Sequence, residues 1–150
     1  MANTIRQTII GLVNTGLQGI LISGGYATNL GSNINWWRDL DNNPFAAAEI
    51  PAANVKDNPD EIGYHAMSRD SHLMMVEIYA LSSTIEQVRQ IVADIEKAVN
   101  ANRTWTTNAL TSKVLSDQID VEHREDKYWG VTIPIEIYFI TVAGDPTTKG

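Results

Sequence analysis

The chain has 150 residues, 43% of them apolar and 19% charged, which fits one globular domain with a sizeable core and excludes an intrinsically disordered chain. A formal net charge of −7, with no run of Lys or Arg, excludes a surface that wraps nucleic acid, because phosphate binding needs cations in excess. Cysteine is absent, so disulfides, thiolate metal sites and cysteine nucleophiles are excluded together, which fits a reducing compartment.

The first predicted element is an amphipathic helix over residues 4–21. Ile5, Ile9, Leu12, Val13, Gly16, Leu17, Ile20 and Leu21 share one face, and Gly24-Gly25 supplies the stop. Asn14, Thr15 and Gln18 interrupt the apolar run, making it a poor membrane span. No small-x-small cleavage site precedes Tyr26, so the segment reads as a helix of the mature fold in a soluble protein.

Residues 26–37 read as extended, 38–44 as a polar loop and 48–55 as a short strand. Residues 56–69, with Pro59, Gly63 and several acids, read as a mobile loop. Residues 73–81 are apolar at odd and even positions alike, which predicts a strand covered on both faces. Ser83-Thr84-Ile85-Glu86 matches a capping box. It opens a helix in which Ile85, Val88, Ile91, Val92, Ile95, Ala98 and Val99 keep 3,4 spacing as far as residues 100–102.

Residues 113–123 and 128–142 form the arms of a long hairpin. Pro134 has no amide hydrogen, which predicts an edge strand or a bulge there. The small polar tail, 143–150, is expected to be flexible. Helices and strands do not alternate as in βαβ units. The expected architecture is a single α+β domain over residues 1–150: a mostly antiparallel sheet, two amphipathic helices packed on one face and a long C-terminal β-hairpin. The other face is left to solvent or a partner.

No catalytic signature is present. GxSxG, SxxK, GxGxxG and Walker patterns are missing. His65 and His72 lie seven apart near Glu61 and Asp70, but without HExxH-type spacing they read as solvated loop side chains. No catalytic, cofactor-binding or metal-binding residue is assigned, and the chain is not expected to be an enzyme. On a strand Trp36 and Trp37 point to opposite faces, so at least one is expected outside the core, available as an interface anchor. The polar loops between well-patterned elements are the expected contact regions. They supply Trp37, Arg38 and Asp39 in the first, Asp57, Asp60, Glu61 and Arg69 in the second, and Glu122, Arg124, Glu125, Asp126 and Lys127 at the hairpin tip.

Three features together resemble the tail terminator and tail-completion proteins of long-tailed bacteriophages. These are the opening helix Thr4-Ile-Arg-Gln-Thr-Ile-Ile10, the segment Ile50-Pro51-Ala52-Ala53-Asn54-Val55 before an acidic stretch, and the strand–helix pair over 73–100 followed by a terminal hairpin. The resemblance implies a virion structural subunit, assembled in the host cytoplasm. It forms a homohexameric ring with itself on the last ring of tail tube protein, ends tube polymerisation and meets the head–tail connector. It implies no cofactor, no membrane contact and no specific nucleic-acid binding, although DNA passes through the ring past an acidic lumen. Another neck or head–tail joining protein fits the same pattern. A small-molecule-binding α+β domain or enzyme, with His65 or His72 in its site, is the alternative of a different class.

Overall fold

The computed structural model describes residues 3–58, 61–66, 68–123 and 127–150. Thr4 opens the first helix, α1 (Ile5–Gln18). Its hydroxyl accepts from the Gln7 amide at 3.0 Å while the Gln7 side chain accepts from the Thr4 amide at 2.9 Å. This reciprocal cap satisfies two amides that a helix start leaves open. The helix ends at Gln18, short of Leu21, because Gly19 caps it and Ile20 turns into the core. A 3-10 turn at Ile22–Gly24 precedes Gly25, and the segment 26–37 expected to be extended makes a second at Leu30–Asn33, leaving only β1 (Ile34–Trp36) as strand.

Strand β2 (Ala52–Asp57) pairs with β1 in parallel. The expected loop over 56–69 is instead largely strand. β3 (Glu61–Ala66) pairs antiparallel with the start of β4 (Arg69–Ser82), and a register shift at Gly63 bends it. Cross-strand pairing has overridden a loop-like composition. β4 is not covered on both faces: its residues alternate between buried and half-buried from Asp70 to Ala80. Helix α2 (Ile85–Ala101) is capped one residue later than expected. Thr84 accepts from the Gln87 amide at 3.1 Å, and Ser82, the last residue of β4, donates to the Gln87 side chain at 2.7 Å.

β5 (Thr111–Val114), β6 (Gln118–His123), β7 (Lys127–Val142) and β8 (Asp145–Lys149) complete an eight-stranded, mostly antiparallel sheet. The order is β1-β2-β4-β7-β5. β3 extends the β2 side of β4, while β6 and β8 flank β5 along β7. The expected hairpin is present as β6 against β7, but its first arm breaks at 115–117. The Leu115 amide donates to the Pro134 carbonyl at 2.9 Å, so the Pro134 nitrogen faces that break, where no ladder bond is needed. Pro134 therefore sits in a central strand opposite an interrupted neighbour, and not at an edge.

The tail expected to be flexible folds back as β8, making a β7–β8 hairpin. Gly144 adopts φ +73° in the turn, and the Asp145 carboxylate accepts from the Thr147 and Thr148 hydroxyls. Both helices pack on one face. Ile9, Val13 and Leu17 of α1 and Val88, Ile91, Ile95 and Val99 of α2 share a core with Val55, Met74, Val76, Ile78 and alternate residues of β7 from Val131 to Phe139. Each such side chain contributes about 1.5–3 kcal/mol when fully buried. Trp105 closes one end of this core. Its indole donates to the Ser112 hydroxyl at 2.6 Å, and its ring lies against Gly16, where an added Cβ would come within 3.2 Å of it. No helix among the described residues is long and apolar enough to cross a membrane.

Candidate functional site

The face opposite the helices carries a small second core of Phe45, Ala52 and Leu81, with Leu40, Ile50, Tyr79 and Tyr128 packed against it. Burying Phe45 there folds residues 38–50 over one end of the outer face. Arg38 organises the loop. Its Nη1 and Nη2 meet the two Glu49 carboxylate oxygens at 2.9 and 3.1 Å, and Nε and Nη2 donate to the Asn43 and Pro44 carbonyls at 2.9 and 3.0 Å. The guanidinium lies 4.7 Å from the centre of the Phe45 ring. Only a planar fork meets a carboxylate, two carbonyls and a ring at once. The Arg38 backbone is tied to β2, because its amide donates to Asn54 Oδ1 and its carbonyl accepts from Asn54 Nδ2, both at 2.9 Å. Hydrogen bonding from Arg38 holds the Glu49 carboxyl below its ordinary value. Asp39 accepts from the Asn42 side chain and from the Asp41 and Asn42 amides, which lowers its own carboxyl.

Trp37 stands where this loop leaves β1, in the left-handed region at φ +52°. Its amide donates to the Val55 carbonyl at 3.0 Å and its indole to Asp57 Oδ1 at 2.8 Å, with the Lys56 ammonium 5.7 Å from the ring centre. It is nevertheless 57% exposed. Asp57 also receives Arg6 of α1 at 2.8 Å, and Arg6 reaches the Asn58 carbonyl at 2.6 Å. Burial pushes the Asp57 carboxyl up, but hydrogen bonds from Arg6 and Trp37 outweigh it and leave the group below its ordinary value. Trp36 points the other way, half-buried, and donates to Asn14 Oδ1 at 2.8 Å.

Beside the loop lies a groove of about 320 Å³ lined by Leu40, Asp41, Asn54, Lys56, Glu77, Tyr79 and Thr132. Lys56 and Glu77 are cross-strand neighbours. Tyr79 lies over Gly130 of β7, where an added Cβ would come within 2.7 Å of its phenol oxygen. The lining offers an ammonium, two carboxylates and hydroxyls, which is binding chemistry.

Of the sequence-predicted contact residues, Trp37, Arg38, Asp39 and Asp57 come together on this patch. Asp60, Arg124, Glu125 and Asp126 lie outside the described residues. Glu61 opens β3, Arg69 opens β4, Glu122 lies near the end of β6 and Lys127 opens β7. Arg69 pairs with Val142 and Lys127 lies beyond the Ser82–Trp129 pair, so the two stand at opposite ends of the 14-residue β4, roughly 40 Å apart at about 3.3 Å per residue. Arg69 is therefore far from that end of β7, whereas Asp57 joins the Trp37 patch and Tyr128, next to Lys127, packs on the Phe45 cluster of the 38–50 loop. Glu49, Asn54, Lys56, Glu77 and Tyr79 were not singled out from the sequence. They converge only through the fold, and no spacing announces them.

His72 is a core residue, stacked on Phe139 with ring centres 4.5 Å apart and bonded to the Thr141 hydroxyl at 2.8 Å. Its expected place in a solvated loop gives way because β4 starts at Arg69, four residues before the expected start at Leu73. Among the described residues no group of three His, Asp or Glu side chains is placed to hold a metal ion. No protein-family model matches this chain, and no curated protein matches its sequence.

Proposed function

We propose that the chain is a structural assembly subunit that caps a phage tail tube as a ring, ends tube growth and presents a surface to the head connector. One observation carries the reading. Beyond the 38–50 loop, the outer face from Leu73 and Met75 of β4 to Glu136, Tyr138 and Ile140 of β7 is only partly buried, while the opposite face of the same strands is fully covered by α1 and α2. A domain that places its helices on one side leaves a wide sheet surface for other proteins. The pre-positioned Trp37 adds an anchor of the kind enriched at interfaces.

The test is solution mass by light scattering over a range of concentrations, with electron micrographs of the same sample, alone and mixed with growing tail tubes. Closed rings that seat on tube ends and stop elongation are the expected result. Tubes that lengthen unchanged in the presence of excess protein would rule out a terminator. Rings that ignore tubes but bind the connector would move the assignment to a neck protein. The groove favours a second reading, a small-ligand-binding domain, although 320 Å³ lies at the low end for such sites. A small molecule co-purifying with the wild type and lost in Lys56→Ala would support that reading.

A further inference from the structure

The groove on the outer face is floored by two cross-strand rows. In one, Tyr79 stands between Asn54 of β2 and Thr132 of β7, and in the next Glu77 stands between Lys56 and Pro134. Such rows lie about 7 Å apart, two residues at about 3.3 Å each. Tyr79 leans over Gly130, so its ring closes the end of the groove toward the Phe45 cluster and the space above Glu77 stays open. Leu40 and Asp41 of the 38–50 loop form the side wall. That wall is set in advance, because Asn54, 2% exposed, holds the Arg38 backbone from both sides.

Three charged side chains line this space without an opposite charge to close on. The ion pairs among the described residues are Arg6–Asp57 and Arg38–Glu49. Lys56 and Glu77 are directly opposite each other on β2 and β4 but do not pair, since the ammonium lies toward the Trp37 ring, 5.7 Å from its centre. Among the described residues neither the Glu77 nor the Asp41 carboxylate accepts a hydrogen bond. Asp39 is the other acid beside Lys56, and its carboxylate is already taken by the Asn42 side chain and two loop amides. A groove of 320 Å³ holds about ten non-hydrogen atoms at the roughly 30 Å³ that a water occupies. Its size and charges thus call for a small molecule with one anionic and two cationic groups.

We propose that the groove binds a free amino acid with a cationic side chain, its carboxylate on Lys56, its α-ammonium on Glu77 and its side-chain cation on Asp41. The adjacent Lys56 and Glu77 match the close spacing of an α-carboxylate and α-ammonium, and Asp41 stands across the groove where the side chain would end. Leu40 and Pro134 offer apolar surface to the methylenes between. The proposal rests on the small-ligand reading of the groove and names the class of ligand.

The test is calorimetric titration of the full chain with lysine and three analogues that each lack one charge: lysine methyl ester, Nα-acetyl-lysine and norleucine. Lysine should bind saturably, at about 1 mM or tighter, and each analogue about tenfold more weakly. Each loss should vanish in one variant alone: the ester penalty in Lys56→Met, the acetyl penalty in Glu77→Gln and the norleucine penalty in Asp41→Asn. Unchanged urea midpoints verify folding, and the exposed Asp41 keeps the scheme usable if a floor variant unfolds. Lysine that fails to bind, or analogue penalties that persist in their matching variants, would overturn the proposal. A co-purifying molecule of other chemistry that is lost in Lys56→Ala would overturn it too, while leaving the small-ligand reading in place. Failure of both, with no co-purifying molecule, would sink the two together.

Discussion

Asp94 is a buried carboxylate whose whole role lies in holding another segment. It is 4% exposed on α2, and it accepts from the Ala27 amide at 3.0 Å, the Thr28 amide at 2.9 Å and the Thr28 hydroxyl at 2.7 Å. Thr28 is itself buried, so Asp94→Ala leaves the Thr28 amide and hydroxyl without that acceptor where water does not reach, and the exposed Ala27 amide loses it too. Each orphaned buried donor costs about 1–3 kcal/mol, so the variant should lose about 3–5 kcal/mol. That is a large share of the 5–15 kcal/mol typical of a whole domain. For a chain of this length the melting temperature should fall by about 10 °C or more. Urea unfolding followed by tryptophan fluorescence should show a lower midpoint with an unchanged slope. Thr28→Val should cost about 1–2 kcal/mol in the wild type and close to nothing once Asp94 is alanine, since both remove the same contact. A loss under about 1 kcal/mol, with the two substitutions additive, would refute the tether.

The Asp57 carboxyl lies below its ordinary value in the folded chain, so its ionised form stabilises the fold above that value and the gain fades as acid titrates the folded state. Asp57→Asn should lose stability at neutral pH and give a flatter fall of unfolding free energy between about pH 5 and 2, whereas parallel curves would contradict the Arg6–Asp57–Trp37 network. Gly130→Ala should cost about 1 kcal/mol by pushing the Tyr79 ring aside, and Tyr79→Ala in the same chain should remove that cost, both read by urea midpoints. Arg38→Lys keeps the charge and loses the fork, so limited proteolysis within 39–44 should accelerate while the global midpoint moves little; equal cleavage rates would contradict the organising role of Arg38. Trp37→Gly should be more stable than Trp37→Ala by about 1 kcal/mol, because only glycine adopts φ +52° without strain, and equal midpoints would show that the left-handed backbone is not enforced.

Much of the frame was legible because it follows from periodicity. The 3,4 spacing of Val88, Ile91, Ile95, Ala98 and Val99 marks the face that α2 buries, and the alternation of Ile133, Ile135 and Ile137 marks the inward side of β7. The misses have local causes. Apolar residues such as Leu73 and Met75 occupy the outer face of β4, so apolarity at both parities read as two covered faces when one is only half-buried. β3 and β8 carry Asp, Glu, Pro, Gly or Thr and earn their conformation from pairing with long neighbours, which composition does not report. Asp94 was readable in principle: it stands three residues after Ile91 and four before Ala98, inside the buried stripe, where a carboxylate needs partners. The Arg38 loop was not readable, because Arg38, Glu49 and Phe45 are spaced by chain folding and by no repeat.

Trp37 separates what the fold needs from what the surface offers. A tryptophan in left-handed backbone costs of order 1–3 kcal/mol that glycine would not. Its ring returns little of this to the core, since it stays 57% exposed with one hydrogen bond, to Asp57. The position is nonetheless over-determined: the Val55 carbonyl takes its amide, the Asn54 side chain clamps the next residue from both sides, and Arg6 fixes the carboxylate that holds the indole. These contacts fix the backbone and the carboxylate beside the ring, and the ring itself makes one hydrogen bond while staying exposed. Such an arrangement makes physical sense when the ring is completed by another molecule, because a side chain already immobilised loses little entropy on binding.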